Sequence, residues 1–229
     1  MLHIGIVACS TEGAALCYRT ISLEGSQMLG RHDHPEVSLH SYSLAQYMKH
    51  IDHDDWAGVA QLMISSAEKL ARGGADFLIC PDNTIHQAFD LLEHRSPRPW
   101  LHIAREVARE AQRCQYKRLA VLGTRYLMDG PVYRETLKVA GIEHRVPGPE
   151  QRERINQIIF DELVNGQLLP RSLAYHVEVI RALKDEGCDA VALGCTEIPL
   201  LVTPESSPLP TLDSTRILAR AALRKAVEG

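Results

Sequence analysis

The sequence predicts an α/β protein of two similar Rossmann-like subdomains, each with a parallel sheet, related by a pseudo-twofold arrangement. Three observations carry this expectation. Short runs that are apolar at every position alternate with segments of helical periodicity, the pattern of strands covered on both faces. One helix–glycine–strand pattern occurs twice, more than a hundred residues apart. Each copy ends in a group of polar residues placed where a strand would stop.

Ile4 to Ala8 is an apolar run that passes into Cys9-Ser10-Thr11-Glu12-Gly13, a strand followed by a polar loop. Trp56 to Arg72 has apolar residues at Val59, Leu62, Met63, Ala67 and Leu70. That spacing is helical, and Gly73-Gly74 supplies a stop. Phe77-Leu78-Ile79-Cys80 reads as a buried strand closed by Pro81. Leu119 to Leu122 is a further strand, ending at Gly123-Thr124. Tyr175 to Lys184 reads as a helix stopped at Glu186-Gly187, and Ala190 to Leu193 as a strand ending at Gly194-Cys195-Thr196. Arg95-Ser96-Pro97-Arg98-Pro99 and the stretch from Pro204 to Pro210 read as connectors. The expected division is residues 1–98 for the first half and 99–212 for the second, with a C-terminal helix over 213–229 packing back on the first.

Composition narrows the function classes. The chain has 229 residues, enough for one large or two small domains, with 45% hydrophobic and 24% charged residues. Aromatics are only 5%, so the core must be mostly Leu, Ile, Val and Ala. A formal net charge of -4 argues against nucleic acid as a partner. Arg216, Arg220, Arg224 and Lys225 lie at helical spacing and read as a solvated face. The N-terminus has no basic leader, and no apolar run reaches the ~20 residues of a membrane span, so a cytoplasmic protein without a membrane partner is expected. The six cysteines are scattered, without a C-x-x-C pair, and read as reduced thiols.

The duplication is the most informative feature. Gly74-Ala75-Asp76-Phe77-Leu78-Ile79-Cys80-Pro81-Asp82-Asn83-Thr84 parallels Gly187-Cys188-Asp189-Ala190-Val191-Ala192-Leu193-Gly194-Cys195-Thr196-Glu197. Eight residues beyond each glycine stand Asp82 and Cys195. Ligands of open parallel sheets bind beyond the carboxyl ends of the strands, so both residues are candidates for chemistry. The same positions also suit a helix cap for Asp82 and a small core residue for Cys195.

These segments resemble the aspartate/glutamate racemase superfamily. Its members commonly carry Cys-Asn-Thr-x-His after a strand of the first half and Gly-Cys-Thr-Glu after a strand of the second. Here the second motif is intact as Gly194-Cys195-Thr196-Glu197, and the first reads Asp82-Asn83-Thr84-Ile85-His86, with aspartate in place of cysteine. Leu122-Gly123-Thr124 through Tyr133 is similar to the family's strand, threonine loop and tyrosine. The likeness covers nearly the whole chain. It implies a homodimeric isomerase, independent of pyridoxal phosphate and of any other cofactor or metal, that moves a proton on and off Cα of a small acidic substrate such as aspartate or glutamate. Carried over, Asp82 and Cys195 are the proton-transfer groups. Ser10, Thr11, Asn83, Thr84, Thr124, Thr196 and Glu197 would hold the substrate. Three departures stand out: the first loop is Ala8-Cys9-Ser10-Thr11, Leu127 replaces a threonine of the second-half loop, and Val164-Asn165-Gly166 lacks a lysine before its glycine.

Aspartate for cysteine changes the chemistry expected. Reference pKa values of ~3.9 for Asp and ~8.5 for Cys differ by ~4.6 units, or roughly 6 kcal/mol. Unless the site closes that gap, Asp82 rests as a carboxylate and Cys195 as a thiol. An asymmetric site follows, with Asp82 accepting or orienting and Cys195 donating or attacking. Racemisation, a one-cysteine isomerisation or decarboxylation of a small dicarboxylic acid, and non-catalytic binding of a small acid all remain open on these residues. Other groups carry less. His32, His34, His40, His50 and His53 form a histidine-rich stretch with Asp33, Asp52, Asp54 and Asp55 that matches no strong metal template. Cys80 lies inside an apolar run and reads as a core thiol, while His86 either orients Asp82 or Asn83 or merely caps and packs. There is no glycine-rich nucleotide or phosphate loop.

Overall fold

A computed structural model describes residues 1–229. The chain forms two compact units, one of Met1–Glu106 with Thr215–Gly229 and the other of Val107–Ser214. Each holds a four-stranded sheet in which all pairs are parallel. No helix is long and apolar enough to cross a membrane.

In the first unit the elements are β1 (Ile4–Ala8), α1 (Thr11–Leu29), β2 (Val37–Ser41), α2 (Leu44–Ile51), α3 (Trp56–Arg72), β3 (Phe77–Ile79), α4 (Phe89–Leu92), β4 (Trp100–Leu101) and the start of α5 (Ile103–Arg113). The second unit continues through β5 (Arg118–Leu122), α6 (Arg125–Asp129), α7 (Pro131–Val139), β6 (Glu143–Arg145), α8 (Pro149–Asp161), α9 (Pro170–Asp185), β7 (Ala190–Leu193), α10 (Ile198–Leu201) and β8 (Thr211–Asp213). The last helix, α11 (Ser214–Glu228), contributes Leu218, Ala219, Ala222 and Ala226 to the first unit's core. There they pack with Ile4, Ile6, Cys17, Phe77 and Ile79. The Leu2 N–H donates to the Ala226 carbonyl, and Arg220 forks onto the Glu24 carboxylate. The helix predicted over Trp56–Arg72 is α3, and the one predicted from Tyr175 is the C-terminal part of the longer α9, which starts on Pro170. Proline at a first helical position is tolerated because that N–H has no partner within the helix.

The two sheets share one topology, β2-β1-β3-β4 and β6-β5-β7-β8. The duplicated Gly-x-Asp has a structural reason in each. Gly74 and Gly187 turn the chain after α3 and α9 at φ 97° and 92°, a conformation that favours glycine. The aspartate two residues on then accepts N–H bonds at the start of the neighbouring strand. Asp76 Oδ2 accepts from the His3 N–H at 2.8 Å, and Asp189 accepts from the Lys117 and Arg118 N–H groups at 2.7 and 3.2 Å. Both carboxylates tie up donors that the sheet leaves unpaired. The repeat seen in the sequence is therefore first a device for aligning β3 on β1 and β7 on β5.

In a sheet ordered 2-1-3-4 the connections leave opposite ways after the first and third strands. The crevice between their carboxyl ends is the switch point where α/β proteins bind ligands. In the first unit that crevice lies between the ends of β1 and β3, and in the second between the ends of β5 and β7.

Candidate active site

All nine residues singled out in the sequence fall on these two switch points. Ser10 and Thr11 follow β1, and Asp82, Asn83 and Thr84 follow β3. Thr124 follows β5, and Cys195, Thr196 and Glu197 follow β7.

At the first switch point Ser10 caps α1, its Oγ accepting from the Gly13 N–H at 3.3 Å. That leaves the hydroxyl hydrogen and the first-turn amide of exposed Thr11 as donors for an anion. Asp82 is half-buried, and its Oδ1 accepts from the Ile85 N–H at 3.3 Å, although the cap position of the short 3-10 turn Thr84–Ala88 is Asn83. Its carbonyl accepts from His86 Nδ1 at 2.7 Å. Asn83 is buried and opens the turn, its carbonyl accepting from the His86 N–H. Cys80 is fully buried, and burial together with the neighbouring Asp82 carboxylate pushes its thiol well above the ordinary range. It packs as a thiol, as its apolar run implied.

Tyr47, on α2, is a neighbour that no local motif announced. It is fully buried, and burial, with Cys80, Cys9 and Asp82 nearby, keeps its hydroxyl protonated far above the usual range. Ser66 also lies beside that hydroxyl, but the Ser66 Oγ is engaged with His40 Nδ1 at 2.9 Å, and the Tyr47 oxygen makes no well-formed hydrogen bond. In the sequence Tyr47 is only one apolar position of an amphipathic helix, thirty-five residues from Asp82.

At the second switch point Thr124 caps α6, its Oγ1 accepting from the Leu127 N–H at 3.3 Å. Leu127 is buried, 2% exposed, so this position offers packing where a threonine would offer a hydroxyl. It packs against two glycines: a Cβ on Gly123 or Gly194 would stand 2.7 or 2.4 Å from Leu127 Cδ2. Tyr133 is fully buried, and burial raises its phenol while a hydrogen bond with Ser214 acts against that. Cys195 is 8% exposed. Its Sγ donates to Glu197 Oε2 at 2.9 Å, and the Thr196 hydroxyl donates to the same oxygen at 2.7 Å. Glu197 is itself buried, so the three side chains form one compact unit around a single carboxylate. A thiol beside a base is the arrangement that activates cysteine for proton transfer.

The histidine-rich stretch is dispersed among other partners. His50 Nδ1 meets Asp55 Oδ2 at 2.7 Å, His53 Nδ1 donates to the Lys49 carbonyl, and His34 Nδ1 donates to the Pro35 carbonyl. No group of three or more His, Cys, Asp or Glu residues comes together as a metal site.

Comparison with known proteins bears on the family and the fold. The family model for Asp/Glu/hydantoin racemases matches residues 6–222. The broad specificity amino-acid racemase RacX of Bacillus subtilis (strain 168) is 25% identical over 197 residues, covering 83% of this chain and 82% of that protein. A Yersinia pestis protein assigned as an Asp/Glu racemase superposes with a TM-score of 0.92 at 32% identity, covering 99% of this chain and all of the other. An aspartate racemase homologue from Pyrococcus horikoshii OT3 superposes at 0.85 with 29% identity and the same coverage. The chain belongs to the Asp/Glu/hydantoin racemase family.

Proposed function

We propose that the protein is a cofactor-independent amino-acid racemase that inverts Cα of a small acidic amino acid, aspartate or glutamate being the first candidates. The observation that carries this reading is that two topologically equivalent switch points carry one ionisable side chain each, Asp82 and Cys195, in a chain of a racemase family. In this reading Asp82, at the end of β3, takes the Cα proton and Cys195, at the end of β7, supplies one. Hydroxyl and amide donors at Ser10, Thr11, Asn83, Thr84, Thr124 and Thr196 hold the carboxylates. Glu197 serves Cys195 in place of touching substrate: its carboxylate, 2.9 Å from Sγ, orients the thiol that gives its proton to Cα, and in the reverse direction it takes the thiol proton first, so that the thiolate can accept the one from Cα. Buried Leu127 narrows the polar surface at the second switch point, which favours a substrate whose side-chain group is held mainly by the first.

The test is deuterium incorporation at Cα in deuterated water, read by proton NMR, over a panel of L- and D-amino acids that includes aspartate and glutamate. Exchange with inversion by the wild-type protein, lost in Cys195→Ala and in Asp82→Asn, supports the reading. Wild-type rates in Cys195→Ala, or no exchange with any member, defeat it.

A further inference from the structure

We infer that His86 is a positioning residue for Asp82, holding the Asp82 backbone to the start of α5 through a neutral imidazole locked in one tautomer. This rests on the reading of Asp82 as a proton-transfer group.

The tautomer follows from the partners. The Ile103 N–H donates to His86 Nε2 at 3.4 Å, so Nε2 carries no hydrogen. Nδ1 therefore carries it and donates to the Asp82 carbonyl at 2.7 Å. The ring is buried, stacked on Phe89 with centroids 5.7 Å apart, and met edge-on by His102 at 4.5 Å. His102 is fixed in turn: its Nδ1 accepts from the Arg105 N–H at 3.4 Å, so its hydrogen is on Nε2. Two imidazole nitrogens thus accept two first-turn amides of α5, donors that a helix cannot satisfy itself. The other side of His86 grips the residue that carries the chemistry. Asp82 is held at both ends, its carbonyl by His86 and its Oδ1 by the Ile85 N–H.

Protonating His86 would set a second N–H against the Ile103 amide and disrupt the bridge. Burial opposes that charge first, and Arg105 on α5 repels it, while the hydrogen bond to the Asp82 carbonyl favours it. His86 is accordingly no proton donor to substrate. Its contribution is to keep the Asp82 carboxylate within the few tenths of an ångström that proton transfer tolerates.

Two substitutions separate the two bonds. Asparagine at 86 places a donor where Nδ1 was, and glutamine places an acceptor where Nε2 was. With the most rapidly exchanged amino acid of the panel above, His86→Gln should lower kcat by ~10- to 10²-fold at little-changed KM. His86→Asn should stay within about threefold of wild type, although both variants lose one of the two hydrogen bonds. Nitrogen-15 NMR of the histidine-labelled protein should show His86 with its hydrogen on Nδ1. Equal kcat in the two variants, wild-type kcat in His86→Gln, or a hydrogen on Nε2 overturns the inference while leaving Asp82 in place. Wild-type exchange in Asp82→Asn, or no exchange by the unmodified protein, instead removes the reading beneath it and the inference with it.

Discussion

The Cys195 thiol donates to the Glu197 carboxylate across 2.9 Å, and Thr196 donates to the same oxygen. A carboxylate so placed fixes the direction of the thiol hydrogen. Glu197→Gln preserves volume and can still accept from Thr196, but cannot take up a proton. Removing a general base costs about 10²- to 10⁴-fold. Because Glu197 acts through Cys195, the loss should fall at the low end, about 10² in kcat, with KM little changed. Steady-state racemisation and a rate of iodoacetamide labelling of Cys195 would both fall. Unchanged labelling alongside unchanged kcat would assign Glu197 a packing role only.

Asp82 and Cys195 occupy equivalent places in two sheets of one topology yet differ in chemistry. The reference gap of ~4.6 pKa units favours Asp82 carboxylate with Cys195 thiol over the reverse by roughly 6 kcal/mol. Starting from this resting form, the enantiomer deprotonated by Asp82 reacts without prior proton rearrangement. The other enantiomer must wait for it. Asp82→Cys equalises the two groups, so initial rates of Cα deuterium wash-in from the two enantiomers should converge. Measured at saturating substrate, those of the wild-type protein should differ by about tenfold or more, since 1.4 kcal/mol is already tenfold. Equal wash-in from both enantiomers in the wild-type protein would show that the site has closed the gap by itself.

The sheet strands β1, β3, β5 and β7 and the helix α3 were legible because each is a strong local signal: an apolar run, or apolar residues at helical spacing ended by Gly73-Gly74. The edge strands were not. β2 and β6 are mixed in polarity, with His40, Ser41, Glu143 and Arg145 among their residues, because an edge strand is not covered on both sides. β4 is two residues long. Asp82 and Cys195 could be found because they recur at one offset from a glycine. What surrounds them could not. Tyr47, which feels the Asp82 charge, comes from a separate helix, and the use of His86 depends on the amide of Ile103, seventeen residues away. The Glu197–Cys195 bond lies within three consecutive residues, yet a residue two positions on shows no direction in a sequence.

The glycine before Cys195 is dictated by packing. A Cβ on Gly194 would stand 2.4 Å from Leu127 Cδ2 and 3.1 Å from the Leu122 carbonyl oxygen. The leucine tip could shift, but the carbonyl belongs to β5 and accepts the Gly194 N–H at 2.7 Å. Gly194→Ala should therefore cost about 1–3 kcal/mol, as overpacking does. The corresponding fall in Tm is roughly 2–10 °C. Leu127→Ala in the same chain should recover part of the loss, so the double variant is more stable than the sum of the two single changes. Additive losses would mean that the backbone contact alone sets the cost.

Stability should fall on the acid side of neutrality, and the two imidazoles at the start of α5 are a main cause. Burial lowers His86 to about 4. Burial, His86 and Arg105 lower His102 to about 2. In the unfolded chain both titrate near ~6.5. Above that pH the rings are neutral in both states and the fold has its full stability. As pH falls below ~6.5 the unfolded chain gains protons that the folded one refuses, so stability declines with falling pH. For His86 the decline runs from ~6.5 down to about 4, and for His102 it continues lower. At pH 5 each ring accounts for a loss on the order of 2 kcal/mol. Buried His176 is shifted the same way by burial and steepens the slope. Tm measured from pH 7.5 to 5 should therefore drop, and His102→Asn should flatten the curve relative to wild type. Paired with His86→Asn it should flatten further, by less than the sum because the rings face each other at 4.5 Å. A wild-type slope in the double variant would place the acid sensitivity in other buried imidazoles, His176 among them, because Glu162 and Asp55, held below their usual range by hydrogen bonds, lose that stabilisation only below this window.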